Sequence, residues 1–353
     1  MERDELLVAA RDAIGGEGEN DYVIAPSKHA DQLAGKAPAL AKILRGSELS
    51  AIARLYEEKD TQAGQAQLLF KGTADRANWS VFLTACFSAL LLMMVPLAVL
   101  STGSAAGNGL RIALGVCGIL SGALGSMWLF KIREGRLLER WMTARAAAEA
   151  QRVKYFELAT TTQDDGKDSA IPLPLLQLEY FRRYQLEVQR TYYRRRGADH
   201  ERGADRMLGL SAMAVGLASF ATGIGGLLGG EWVSLAGIGV IATALSGFAS
   251  AKEAVSQDRR NMERYERTFE ALESLSGKLD AVRMAAVNGE RAPLEQLVAA
   301  VHEQLSLEHR QWLETAESTA ASLAKLDETL AKLKEKFPKA GLAQGQGSAQ
   351  TKS

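Results

Sequence analysis

The chain has 353 residues, of which 42 are Lys or Arg and 42 are Asp or Glu, so its formal charge at neutral pH is zero. That balance gives no electrostatic footprint for a nucleic-acid partner. With 47% hydrophobic and 24% charged residues the averages match an ordinary globular domain, but the charge is segregated, nearly absent from four stretches and dense between them.

The chain opens Met-Glu-Arg-Asp-Glu-Leu-Leu, acidic at once and without the basic start and short apolar core of a signal peptide. Residues 1–45 follow no pattern that assigns them a role. Trp79–Ser101 is the first of four apolar stretches; the others are Leu110–Phe130, Met207–Leu228 and Val233–Ala251. Arg111, at the start of the second, is the only charge in any of them. Each stretch holds about 19–23 residues, enough to cross a hydrocarbon core of ~30 Å at ~1.5 Å per residue. The first must then act as its own insertion signal. Pro96, near its outer end, removes a backbone hydrogen bond and predicts a bend. The two cysteines, Cys86 and Cys117, lie inside the first two stretches. Their depths differ by about six residues, ~9 Å along a helix, too far for a disulfide in one hairpin. Both are expected to be buried packing residues.

Basic residues set the expected orientation. Lys71 and Arg76 precede the first stretch, and Lys131, Arg133, Arg136 and Arg140 follow the second. Arg194, Arg195, Arg196, Arg202 and Arg206 precede the third, and Lys252, Arg259, Arg260 and Arg264 follow the fourth. The connecting loops, about Thr102–Gly109 and Gly229–Trp232, hold no Lys or Arg. The positive-inside rule places both termini and the central segment in the cytoplasm of a multi-pass protein of the cell's inner (cytoplasmic) membrane. Arg194, Arg195 and Arg196 read either as this topology signal alone or as a basic anchor at anionic headgroups.

The two hairpins read as an internal repeat offset by about 125 residues. Each has a charged helix leading in, two spans and a charged helix leading out, the parallel-repeat arrangement. Five segments follow: residues 1–45 of unknown role, a helical module over 46–162, a linker over 163–174 marked by Gly and Pro, a second module over 175–338, and a tail over 339–353. The fold class is an all-α membrane protein with four transmembrane helices in two tandem hairpins and long charged helices. Met262, Tyr265, Phe269, Leu272, Leu279 and Val282 keep a helical rhythm apart from Ser276, and Leu323, Leu326, Leu330, Leu333 and Phe337 repeat it until Pro338. Such helices either pack on each other within the chain or form a coiled coil between subunits. Gly341–Ser353, rich in Gly, Gln and Ser, has the composition of a disordered tail.

Within the apolar stretches the small residues carry the packing argument. Gly118, Gly122 and Ser126 recur every fourth residue in the second stretch, Ala214 and Ala218 in the third, and Gly239, Thr243 and Gly247 in the fourth. Lipid gives apolar side chains no incentive to pair, so such ridges matter by letting backbones approach, within a hairpin or between subunits of a homo-oligomer. A transporter usually keeps a charge near mid-membrane, and none is present here. The polar groups available are hydroxyls, among them Thr84, Ser88, Ser211, Thr222, Thr243 and Ser246. A pore lined by these and by glycine would be weakly selective.

Catalytic signals are poor. Phosphate-loop, His-Glu-x-x-His and Gly-x-Ser-x-Gly patterns are all missing. The expectation is therefore a protein with no enzyme activity, no cofactor and no metal site. His302 and His309, seven apart on one helix face beside Glu303 and Glu308, read as surface residues. Gly237 to Ala242 matches a loose dinucleotide-binding pattern with Asp258 downstream, but the following Lys252–Met262 is charged and helical in character where that pattern needs a strand.

One resemblance stands beside this reading. Leu55-Tyr56-Glu57-Glu58-Lys59-Asp60 with Ala63-Gly64-Gln65-Ala66-Gln67 resembles the lead-in helix of SLATT domains, two-transmembrane modules that associate with SMODS nucleotidyltransferases and SLOG nucleotide-binding proteins. Arg140-Trp141-Met142-Thr143-Ala144-Arg145 through Glu149 is similar to the corresponding exit helix. Tyr180 to Gln185, Tyr192-Tyr193-Arg194 and Glu308 to Leu313 resemble a second module. The resemblance spans about residues 50–320 and implies a bacterial antiphage effector that forms a pore or perturbs the membrane after a nucleotide signal. Its implied partners are the lipid bilayer, further copies of the chain, and a nucleotide second-messenger synthase or sensor encoded nearby. A membrane-anchored scaffold that recruits a cytoplasmic partner is the alternative.

Overall fold

The computed structural model describes residues 2–15, 23–100, 105–163, 170–229 and 235–307, with a few isolated positions beyond. In chain order the helices are α1 (Arg3–Ile14), α2 (Pro26–Leu33), α3 (Pro38–Leu44), α4 (Ser47–Leu100), α5 (Ala105–Glu134), α6 (Leu137–Thr161) and α7 (Leu173–Phe181). A π-helical turn, Arg182–Glu187, joins α7 to α8 (Val188–Leu228). Then come α9 (Leu235–Ser256), α10 (Asp258–Ser276), α11 (Leu279–Val287) and α12 (residues 292–307). No strand occurs among the described residues. This is an all-α membrane protein.

Local chemistry sets the helix boundaries. Pro26 and Pro38 open α2 and α3, and Pro174 sits in the first turn of α7, where a missing N–H costs nothing. The predicted linker falls between Thr161 and Leu173, with residues 164–169 outside the described region. α4 is helical on both sides of Pro96. Arg136 at φ 47° ends α5, and Gln257 at φ 51° ends α9. The second helix of each hairpin therefore stops at a left-handed residue that is not glycine, an uncommon conformation, before a charged helix begins. The rhythm over Met262–Val282 does not make one helix: α10 ends at Ser276 and α11 starts at Leu279, after Gly277. Leu272, Leu279 and Val282 join a core within the chain, with Tyr265 and Phe269 packed against it. The heptads from Leu323, the tail and His309 lie outside the described residues.

Three helical stretches among the described residues, Gly107–Thr161, Leu173–Leu228 and Gly237–Val287, are long and apolar enough to cross a membrane. They contain the second and third predicted spans and the fourth from Gly237 on. The first predicted span is helical from Trp79 to Leu100, with its outer side chains outside the description.

The chain divides into two compact units, each made of discontinuous pieces. The charged unit comprises Met1–Gln67, Glu139–His200 and Arg260–Glu314; the described part of the apolar unit is Leu68–Leu138 and Glu201–Arg259. α7 lies at the centre of the charged unit. Every residue from Pro174 to Phe181 is buried, the polar Gln177 and Glu179 included, and α1, α3 and α11 pack on it. Residues 1–45, without a role in the sequence, are thus structural: Ala10, Ile14, Leu33, Leu40 and Leu44 belong to this core.

Candidate functional site

The apolar unit carries many of its large side chains outward. Ile119 on α5 and Phe220 and Leu227 on α8 are 60%, 66% and 87% exposed, whereas Ala77, Ala89, Ala214, Ala242 and Ala249 are buried. In water such a surface would be costly at ~25 cal/mol per Å²; facing hydrocarbon it carries no such penalty. Cys117 is exposed and Cys86 half-buried, so Cys117 is not the buried packing residue expected from its place in the stretch.

The predicted small residues fall in different places. Gly118 and Gly122 are buried on α5, and Ser126 is half-buried one turn on. Ala214 and Ala218 lie on α8, and Gly239, Thr243 and Gly247 on α9. The structure brings α8 and α9 together at Gly239, where an added Cβ would sit 2.7 Å from Thr222 Cγ2 and 3.4 Å from the Ala218 carbonyl oxygen. A Cβ at Gly247 would meet nothing within 4 Å, and Thr243 is exposed. Gly237, which the spacing of small residues did not single out, approaches the Met93 side chain so closely that a Cβ would collide with it.

Polar groups in the apolar unit are satisfied locally. Thr84, Ser88, Thr222 and Thr243 donate to carbonyls one turn back on their own helices at 2.7–2.8 Å. Ser211 and Ser246 bond each other at 2.8 Å, linking α8 to α9, and Asn78 Nδ2 donates to the Phe248 carbonyl at 3.3 Å. Near the charged ends Lys252 pairs with Asp75 at 3.6 Å, and Arg76 and Lys131 both lie over the Trp128 ring, 5.1 and 5.6 Å from its centroid.

The charged unit holds what the sequence did not reveal. Glu179 is 1% exposed, and its two oxygens accept from Arg182 Nε at 2.5 Å and Arg283 Nε at 2.6 Å. Arg182 Nη1 continues to Glu187 at 2.5 Å, and Arg283 Nη1 to Asp280 at 2.7 Å. Burial works against the Arg182 charge, yet Glu179 and Glu187 more than offset it and raise its pKa. A cavity of about 590 Å³ opens beside this node, lined by Arg182, Glu187 and Arg283 together with Arg11 and the Arg190–Glu273 pair. Four arginines face three carboxylates (Asp12, Glu187 and Glu273) on its wall, so most but not all of its positive charge is matched there.

Two further networks tie helices together. Tyr180 bonds His29 Nδ1 at 2.9 Å and the Tyr155 hydroxyl at 2.7 Å, and His29 stacks on Tyr184. Burial pushes the Tyr155 phenol well above its ordinary range. Gln177 and Arg291 donate to the last carbonyls of α6, from Ala159 to Thr162, closing a helix end that would otherwise lack partners. On α4 and α6, Arg152 donates to Tyr56 at 2.6 Å, and Arg145 bridges Asp60 at 3.2 Å and Glu149 at 2.6 Å. The two segments that carry the first-module resemblance are therefore joined through their polar residues. His302 is buried against Phe181 rather than at the surface, and burial lowers its pKa to about 4. The dinucleotide-like Gly237–Ala242 is helical throughout. Arg194, Arg195 and Arg196 are exposed on α8, with Arg196 3.9 Å from Asp199. Among the described residues no three His, Cys, Asp or Glu side chains are grouped to hold a metal.

Residues 181–312 match the family model described as SMODS and SLOG-associating 2TM effector domain 1. This part of the chain is a SLATT domain. It takes in the π turn and α8 to α12, and with them the hairpin formed by the third and fourth apolar stretches. Ala214, Ala218, Gly239, Thr243, Gly247 and Arg194–Arg196 lie inside the SLATT domain; Gly118, Gly122 and Ser126 precede it. Most of the cavity wall belongs to the SLATT domain; α1 adds Arg11 and Asp12, and Gly15 follows from its C-terminal end. No curated protein and no solved structure matches the chain.

Proposed function

We propose that this protein is a membrane effector of a bacterial antiphage conflict system that forms a pore or otherwise perturbs the cytoplasmic membrane when activated. The match of residues 181–312 to a two-transmembrane effector domain carries this reading, and the outward apolar faces of α5 and α8 support it. The chain acts without catalytic chemistry, as a homo-oligomer of four-span subunits with both termini in the cytoplasm. Each subunit holds two modules in tandem; the left-handed residues that end both α5 and α9 support the repeat. A nucleotide second-messenger synthase or a nucleotide sensor is the proposed activating partner. Since Thr84, Ser88, Thr222 and Thr243 spend their hydrogens on their own helices, a pore wall would offer hydroxyl oxygens rather than donors. Gly118 and Gly122 serve helix packing, and Arg194–Arg196 hold the headgroup layer.

The deciding experiment is membrane potential, read with a voltage-sensitive dye in bacteria expressing the full chain. The control carries Gly118→Leu and Gly122→Leu at equal membrane abundance. Depolarisation by the native chain alone is the expected result. Equal depolarisation by both chains would remove the packing role of the two glycines. Silence in both, even with the nucleotide-signalling partner co-expressed, would replace the pore reading by that of a membrane-anchored scaffold.

A further inference from the structure

The π turn at the head of the SLATT domain carries an inference that is independent of what the apolar unit does in the membrane. π-helical turns are rare, and they tend to occur at functional sites. In an α-helix, residues five apart point about 140° away from each other at ~100° per residue, so they cannot pair; an i→i+5 turn brings them into line. Arg182 and Glu187 are five apart and paired at 2.5 Å. Their ion pair is matched to the π register and to no α-helical one.

The two ends of this turn are held very differently. Upstream, α7 is buried on all sides, and Glu179 ties Arg182 across to Arg283 in the middle of α11. Downstream, α8 continues as one helix to Leu228, into an apolar stretch. Any change in the turn's register is therefore absorbed by α8. The turn is also incompletely satisfied. Gln185 is fully buried with no hydrogen-bond partner at either amide atom, and Glu187 Oε2 is buried without one. Both members of the ion pair line the cavity, which exposes them to competing charged solutes.

We propose that the π turn Arg182–Glu187 is a register switch for α8. Its ion pair holds one residue of helical slack, and opening the pair lets the turn relax to α-helix. Relaxation turns α8 by about 100° and advances it by ~1.5 Å, one residue's worth of helix. Charged solutes that enter the cavity and compete for Arg182 or Glu187 would work this switch.

The Ser211–Ser246 hydrogen bond reports the register, because it joins α8 to α9 at 2.8 Å. The experiment uses the full chain in membranes with Cys86→Ser, Cys117→Ser, Ser211→Cys and Ser246→Cys, and reads disulfide formation on mild oxidation. In the native turn the pair should bridge readily. With Glu187→Ala added, a rotation of about 100° carries the cysteines beyond bridging distance, and the yield should fall at least about fivefold. Deleting Gln185 as well removes the slack: five residues in α-helix span the same connection, α8 returns to its native register, and the yield should recover. Loss with Glu187→Ala and recovery on deletion support the switch. Full yield with Glu187→Ala alone overturns it. Loss that the deletion does not restore also overturns it, since the cause would then be general unfolding.

Discussion

The two units place the same residue types in opposite places. In the charged unit the largest side chains are inside: Tyr155, Phe156, Tyr180 and Phe181 are all but inaccessible, and charged groups such as Glu179 and Arg152 are buried beside them with paired partners. In the apolar unit Ile119, Met213 and Phe220 point out while alanines such as Ala77, Ala89, Ala214 and Ala242 are buried, and large buried side chains such as Phe70, Leu129, Ile132 and Phe248 lie towards its charged ends. Water rewards burying large apolar surface, and hydrocarbon does not. What remains to hold α8 against α9 is close backbone approach, as at Gly239, and a hydroxyl pair, Ser211 with Ser246. The contrast shows which solvent each half of the chain is built for.

The strongest test of the charged unit is Glu179→Ala. It leaves Arg182 and Arg283 buried without their shared carboxylate, and a loss of about 3–5 kcal/mol is expected, read as a lower urea midpoint for the detergent-solubilised protein. The apolar unit is broken differently. Ile119→Lys, in mid-helix on the outward face, should cost about 2.5–3.5 kcal/mol of membrane insertion, measured as protein lost from the alkali-resistant membrane fraction. The same change at the exposed Leu55 of the charged unit should shift stability by less than about 0.5 kcal/mol. If both sites behave alike, the assignment of solvents to the two units is wrong.

Two smaller effects sharpen the picture. His302 has a folded pKa of about 4 against an ordinary value of 6.5, so between those limits the unfolded chain binds more protons than the folded one. The stability contributed by neutral His302 is complete above about pH 6.5 and falls as pH drops toward 4, by at most ~1.4 kcal/mol per pH unit. His302→Phe should flatten that slope in thermal melts at a series of pH values. Tyr155→Phe removes one bond from the His29–Tyr180–Tyr155 chain and should cost about 1 kcal/mol, seen as a modest drop in melting temperature.

Much of the fold was legible in the sequence because its signals are local. Runs without charge marked α5, α8, α9 and the end of α4, and the Pro-punctuated gap after Thr161 separated α6 from α7. What could not be read depends on residues far apart. Glu179 and Arg283 are 104 positions apart, and His29 and Tyr180 are 151 apart; no spacing rule joins them. The π turn was hidden because Arg-Arg-Tyr-Gln-Leu-Glu reads as ordinary helix, and only the pairing of its first and last residues sets its register. His302 seemed a surface residue for want of the knowledge that Phe181 covers it. Gly237 was missed because it lies two residues from Gly239, off the four-residue ridge. Among the small residues, periodicity picked Gly239, whose Cα faces α8 closely, and equally Gly247, which faces open space.

The division of the chain also dictates an order of assembly. The charged unit needs three pieces, the last being Arg260–Glu314, and the described apolar pieces lie between them in sequence. A ribosome moving at about 5–20 residues per second needs roughly 10–40 s to travel from the first piece to the last. For the last part of that interval and until α11 is made, about 100 residues or roughly 5–20 s, α7 exists without α11 and Glu179 has no Arg283 to meet. A nascent chain halted before residue 260 therefore has its apolar helices already made but lacks the carboxylate-bridged core, and with it a closed charged unit.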